Sequence, residues 1–189
     1  KADGVGQFVF LSSMSIYGRE TGIITKETSP APVTNYGKSK LQAEEGILPL
    51  ADESFTVTVL RPPMVYGDGC RGNYNAIIRI VERFPVFPRV NNRRSMIHVD
   101  NLSSFVLMIL RERLGGVYFP QDRTYRNTTE IAREIASKMG KKVYMSYLLG
   151  FCVLCLKPFS GTVRKAFGSL VYRDTEDFDF RYCAEEQQQ

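Results

Sequence analysis

The pattern that most constrains this chain is a continuous apolar run, Phe8 to Leu11, then a stretch with helical spacing, then a β-branched run, Phe55 to Leu60. Both runs are uninterrupted rather than alternating, as expected of strands covered on both faces in a parallel sheet. Between them, residues 19–34 carry Gly22, Pro30 and Pro32 and read as a loop. From Asn35, the positions Tyr36, Leu41, Ala43 and Ile47 read as a helix that stops by Pro49. Strand, helix and strand in that order make a βαβ crossover, so the expected fold class is α/β with a parallel sheet.

Downstream, Ala76, Ile77, Ile80, Val81 and Phe84 form an apolar helical stripe ended by Pro85. Ser95 to Val99 is a short strand candidate, Asp100 the expected cap of a helix from Asn101 to Arg113, and Gly115-Gly116 its end. Asn127 with Glu130 starts a further helix running to Met139 and closed by Gly140. The apolar stretch from Val143 to Phe159 is interrupted by Ser146 and Gly150 and closed by Lys157-Pro158, short of the ~20 residues a membrane span needs. It is expected to be a buried helix of a small lobe, and no membrane partner is expected. No internal repeat is visible.

Composition narrows the function classes. A chain of 189 residues with 43% hydrophobic and 24% charged residues is not disordered, collagen-like or a disulfide scaffold. Twenty-five cations against 20 acids leave a net charge of +5, read as spread along the chain, and no aromatic-plus-basic stripe suggests nucleic acid. Cys70, Cys152, Cys155 and Cys183 are too few and irregular for a disulfide framework, so a reducing, cytoplasmic setting is expected. The start lacks a cationic stretch leading into an apolar run, so no secretory leader is expected. Cys152-x-x-Cys155 has apolar flanks and no second Cys/His pair, and reads as core rather than a metal site.

Tyr36 and Lys40 stand at i and i+4, on one helix face and within side-chain reach. An ammonium beside a phenol favours the phenolate, so Tyr36 is the expected proton acceptor and Lys40 its activating cation. The preceding strand ends in Ser12-Ser13-Met14-Ser15, hydroxyls at the carboxyl edge where a parallel sheet presents its ligand site. Ser13 is placed to hydrogen-bond the hydroxyl that Tyr36 deprotonates.

The blocks FVFLSSMSIYG, NYGKSKLQAEE, TVLRPPMVYGDG and RSMIHVDNL, in that order, resemble the extended short-chain dehydrogenase/reductase family. The likeness is to its NAD-dependent nucleotide-sugar epimerases and dehydratases of the UDP-glucose 4-epimerase kind. It covers most of residues 5–110. The resemblance implies Ser13, Tyr36 and Lys40 as the catalytic set, with NAD as cofactor and Lys40 also holding the nicotinamide ribose. It implies epimerisation: the sugar is oxidised to a keto-sugar by hydride transfer to the nicotinamide, turns, and takes the hydride back on its other face.

Residues 61–67, with Pro63, match the stretch that passes under the nicotinamide, although Met64 stands where 4-epimerases usually have Asn. Asn73 and Asn75 match the start of a nucleotide-contacting helix, Phe87 a base-lining position and Arg94 a phosphate ligand. A guanidinium fork in the cluster Arg89, Arg93 and Arg94 suits a phosphate independently of any likeness. His98, the sole histidine, reads as core.

Gly67-x-Gly69-x-x-Gly72 spells a dinucleotide fingerprint, but it does not directly follow a strand and no acidic residue lies between Glu82 and Asp100 to hold a ribose. It is read as a turn on the substrate side. The family's fingerprint belongs upstream of residue 8, so the chain is expected to hold the C-terminal part of a Rossmann-like sheet over residues 1–70. A substrate-binding lobe is expected over 71–189, with a sheet-returning segment near 93–113. A nucleotide-sugar substrate and a second copy in a homodimer are the expected partners, with no metal. The alternatives are a reductase or dehydratase of the same family, or an inactive fragment that only binds ligand or partner.

Overall fold

A computed structural model of the chain describes residues 4–70 and 73–173. Strands β1 (Gln7–Leu11), β3 (Thr56–Leu60) and β7 (Gly116–Tyr118) form a parallel sheet in the order β1-β3-β7. Val9 lies opposite Thr58, and Thr58 opposite Gly116. The central strand β3 is covered on both faces, with Val57, Val59 and Leu60 buried. β1 is not, because it is an edge strand here, and Phe8 and Leu11 are exposed.

Helix α1 (Asn35–Ile47) makes the crossover, capped by Thr34, whose Oγ1 accepts the Gly37 N–H at 3.1 Å. The remaining helices are α2 (Asn73–Arg83), α3 (Val99–Glu112), α4 (Thr128–Lys138), α5 (Tyr147–Leu156) and α6 (Gly161–Phe167). Three short parallel pairs complete the fold: β2 (Gly22–Ile24) with β9 (Leu170–Tyr172), β4 (Met64–Tyr66) with β6 (Met96–His98), and β5 (Val86–Pro88) with β8 (Tyr144–Ser146). One core packs α2 on α4 around Phe87 and Met96; a second joins Ile16 and Tyr17 to Ile24, Leu170 and Tyr172.

Several expectations are corrected. Residues 22–24, read as loop, become a strand because β9 supplies a hydrogen-bonding partner. α3 starts at Val99, and its cap is His98, whose Nδ1 accepts the Asp100 N–H at 3.3 Å, so Asp100 lies within the first turn. His98 is accordingly half-exposed rather than core, with its ring edge-to-face on Tyr66. α3 ends on Arg113 in the left-handed region at φ 50°, ahead of the Gly115-Gly116 pair, and β7 begins at Gly116. The largest departure is α5, expected to be buried: of its ten residues only Gly150 is buried, and Cys152 and Cys155 are exposed. Arg71, Gly72, Cys183 and the terminal glutamines lie outside the described residues.

Candidate active site

The chain leaves β1 at Leu11 and turns through a 3-10 segment, Met14–Tyr17, capped by Ser13. The Ser13 hydroxyl accepts the Ser15 N–H at 3.1 Å and lies 3.1 Å from the Ser15 hydroxyl. The first turn of α1 rests directly on this segment. A Cβ on Gly37 would lie 2.6 Å from the Ser15 carbonyl oxygen and 3.1 Å from Pro32, so only glycine permits the approach.

That contact brings three of the expected residues together. Tyr36 is exposed, and Lys40 is half-buried behind it. The Lys40 ammonium lies 5.8 Å from the Tyr36 ring centre and 4.7 Å from that of Phe10. It donates one N–H to the Leu11 carbonyl, at the carboxyl end of β1, at 2.7 Å. An ammonium carries three N–H groups, so this bond anchors Lys40 while leaving donors for a ligand. A phenol, a cation and a serine hydroxyl thus share the carboxyl edge of a parallel strand, where such sheets bind ligands.

Pro63 is buried after β3 and adjoins the serine turn, since the Met14 N–H donates to the carbonyl of neighbouring Pro62 at 2.9 Å. The remaining expected residues are not drawn into this cluster. Asn73 opens α2, and Asn75 lines a separate cavity of about 390 Å³ together with Gly67, Gly69, Tyr74 and Lys138. Phe87 is fully buried against Phe167, with ring centres 6.1 Å apart, and so presents no face to a base. Arg94 is also buried, and its Nη1 donates to the carbonyls of Lys165 at 2.8 Å and Ala166 at 3.2 Å, the end of α6. Burial pushes its guanidinium below the ordinary arginine value. Its work in this structure is to hold α6, not to face a phosphate.

Sequence reasoning missed the group that holds the site in place. Glu44 on α1 is buried and receives Arg61, with Nη2 at 2.5 Å from Oε2 and Nε at 3.1 Å from the same oxygen. Arg61 Nη1 also donates to the Tyr17 hydroxyl at 2.8 Å, so α1, the end of β3 and the serine turn are tied by one guanidinium. Burial raises the Tyr17 phenol above its ordinary value, against the pull of Arg61. The signal was present, since Arg61 directly follows a buried strand and a cation there needs a partner.

The residues present fit one end of a dinucleotide. Lys40 and Tyr36 offer a cation and a phenol at an open strand edge, suited to a ribose and its ring. β4 runs straight into Gly67, so the Gly67–Gly69 turn does directly follow a strand, contrary to the sequence expectation; that strand belongs to the separate β4-β6 pair, and the turn borders the 390 Å³ cavity.

Residues 1–118 match the sequence profile of the NAD dependent epimerase/dehydratase family. A UDP-glucose 4-epimerase of Vibrio cholerae is 30% identical over 174 residues, 87% of this chain and 51% of that protein. An N-acetyl-alpha-D-glucosaminyl-diphospho-ditrans,octacis-undecaprenol 4-epimerase of Escherichia coli O157:H7 is 29% identical over 173 residues, 84% of this chain and 52% of that protein. The chain therefore spans about half the length of the curated relatives it matches. Among solved structures, UDP-glucuronic acid 4-epimerase from Bacillus cereus in complex with NAD superimposes with a TM-score of 0.64 at 18% identity, over 90% of this chain and 53% of that one. This likeness establishes the Rossmann-like fold.

Proposed function

Because the chain belongs to the NAD-dependent epimerase/dehydratase family, we propose that it carries the catalytic edge of a nucleotide-sugar epimerase of the UDP-glucose 4-epimerase kind. The observation that carries this reading is the seating of Gly37 on the Ser15 carbonyl, which sets Tyr36 and Lys40 beside the Ser13 turn. In it, the Tyr36 oxygen accepts the proton of the sugar hydroxyl. Lys40 supplies the positive charge that favours the phenolate, its position set by the Leu11 carbonyl. Ser13 exchanges its bond with Ser15 for one to the sugar hydroxyl, orienting it toward Tyr36. NAD, held by Tyr36 and Lys40, would supply reversible hydride chemistry there, consistent with an epimer as product and no net redox change.

The nicotinamide-ribose end falls to Tyr36 and Lys40, with Pro63 beneath, and the nucleotide end of the substrate to the side of Asn73 and Asn75. Phe87 and Arg94 take structural roles in this reading, not ligand contacts. The few and irregularly spaced cysteines of the sequence support a reducing, cytoplasmic setting in this reading. The absence of a carboxylate in Ser12-Ser13-Met14-Ser15 argues for an epimerase over a dehydratase.

The test is conversion of UDP-glucose to UDP-galactose by the protein and by its Tyr36→Phe variant, alongside analysis of NAD released on denaturation. The expected loss on substitution is about 10²- to 10⁴-fold, the usual contribution of a positioned proton acceptor. Turnover that survives Tyr36→Phe overturns the mechanism. Net accumulation of reduced nicotinamide points instead to a reductase, and binding of nucleotide sugar without turnover to a non-catalytic fragment.

A further inference from the structure

Helix α5 is apolar on every side: Tyr147, Leu148, Leu149, Phe151, Val153, Leu154 and Leu156 surround it, with no charged residue between Tyr147 and Leu156. A helix of this kind is normally buried in a core or in lipid. Here it is neither covered nor core. Leu148 is 72% exposed, Phe151 63%, Leu154 61%, and Phe159 just beyond the helix 87%. The helix meets the body at β5 and α6, and Gly150 closes on the backbone of Arg89 so tightly that a Cβ would lie 2.0 Å from its carbonyl oxygen. Contiguous exposed apolar surface of this kind marks an interaction site.

Charge identifies the occupant. Of the chain's 25 cations and 20 acids, six cations and no acid fall in residues 141–173, leaving 19 against 20 elsewhere. Every charged side chain within residues 141–173, the stretch that includes α5, is thus a cation. Arg164 is partly neutralised by Glu20 at 2.9 Å. Lys157, at the end of α5, instead lines a groove of about 660 Å³ with Arg93 and Arg173. On the other flank, Arg89 lies 4.3 Å from the Tyr147 ring centre. Apolar side chains between cations, with tyrosines at the helix start, are what the interface of an anionic bilayer selects.

We infer that α5 is a surface anchor that lies in the headgroup region of a membrane containing anionic phospholipid. Leu148, Phe151, Leu154 and Phe159 enter the acyl boundary, and Lys157, Arg93 and Arg173 meet the headgroups. At 1.5 Å per residue its ten residues reach about 15 Å, half a hydrocarbon core, so the helix lies along the surface. No helix among the described residues is long and apolar enough to cross.

The test is sedimentation of the protein with vesicles of phosphatidylcholine alone and of phosphatidylcholine with phosphatidylglycerol. Partition onto the anionic vesicles is expected to be at least about tenfold stronger and to weaken with added salt, as juxtamembrane cations dictate. The double variant Leu148→Glu/Phe151→Glu is expected to abolish it while leaving the circular dichroism spectrum unchanged, since both side chains lie outside the core. The chain has no tryptophan, so Phe151→Trp gives a single reporter whose emission is expected to shift to the blue on the anionic vesicles. Binding to neither vesicle, or binding that survives the double variant, overturns the inference. So does concentration-dependent self-association that the same variant removes without any vesicle binding, which would make the surface a contact between two copies.

Discussion

Arg61 closes on Glu44 in the interior, Nη2 at 2.5 Å from Oε2, with the carboxylate side chain 1% exposed. The pair joins the crossover helix to the end of the central strand, and through Tyr17 it reaches the serine turn. The position of Tyr36 and Lys40 relative to Ser13 is thus set from behind by a group that need not touch a ligand.

Glu44→Gln removes the charge and leaves the Arg61 guanidinium buried without its counter-ion. Breaking one side of a buried pair costs about 3–5 kcal/mol. Urea unfolding followed by circular dichroism is expected to show a loss of that size, and Glu44→Met with Arg61→Met is expected to recover part of it. A loss below about 1 kcal/mol in the single variant, the range of exposed pairs, would show that the pair contributes little.

Gly37→Ala reverses the usual sign. Glycine in a helix interior is about 1 kcal/mol worse than alanine, yet here the added Cβ meets the Ser15 carbonyl at 2.6 Å. Overpacking costs typically about 1–3 kcal/mol, so the melting temperature is expected to fall. A rise would mean that α1 does not bear on the serine turn.

Tyr36→Phe is expected to leave stability within about ±0.5 kcal/mol, because the side chain is 55% exposed and away from the cores. Thermal unfolding of the two proteins side by side reads this. A larger loss would assign Tyr36 a structural role.

Alkaline pH is expected to weaken the fold. Burial raises the phenols of Tyr17, Tyr66 and Tyr172, and Tyr66 also donates to Asp122 at 2.7 Å. A raised folded value means the protein keeps these protons when the unfolded chain has lost them. The contribution is therefore complete below the unfolded value of about 10 and is lost as pH rises above it. Urea midpoints measured from pH 8 to 11 should fall above about 10, with tyrosinate absorbance appearing late relative to the unfolded chain.

Thiol labelling should separate the cysteines. Cys152 and Cys155 are exposed on α5, whereas Cys70 is half-buried and its thiol is raised, first by burial and then by Asp68 and Asp100. The thiolate is the reactive form. Iodoacetamide followed by mass spectrometry is expected to modify Cys152 and Cys155 before Cys70; the reverse order would contradict the exposure of α5.

The elements legible in the sequence are those whose signal is local. The unbroken run before Leu11, the β-branched run to Leu60 and the 3.6-residue spacing of α1, α2 and α4 each dictate their own backbone, because burial of one face is written into residue order. Tyr36 and Lys40 share a helix face for the same reason. What only the tertiary structure decided is which groups find partners across the chain. The three residues of β2 are a strand only because β9 pairs with them. Glu44 is an internal charge only because Arg61 reaches it. Arg94 and Phe87 turn inward because α6 and α4 offer carbonyls and a core to receive them. The apolarity of α5 was plain in the sequence, but its exposure was not, since hydrophobic residue order states what should be buried and never what does the burying.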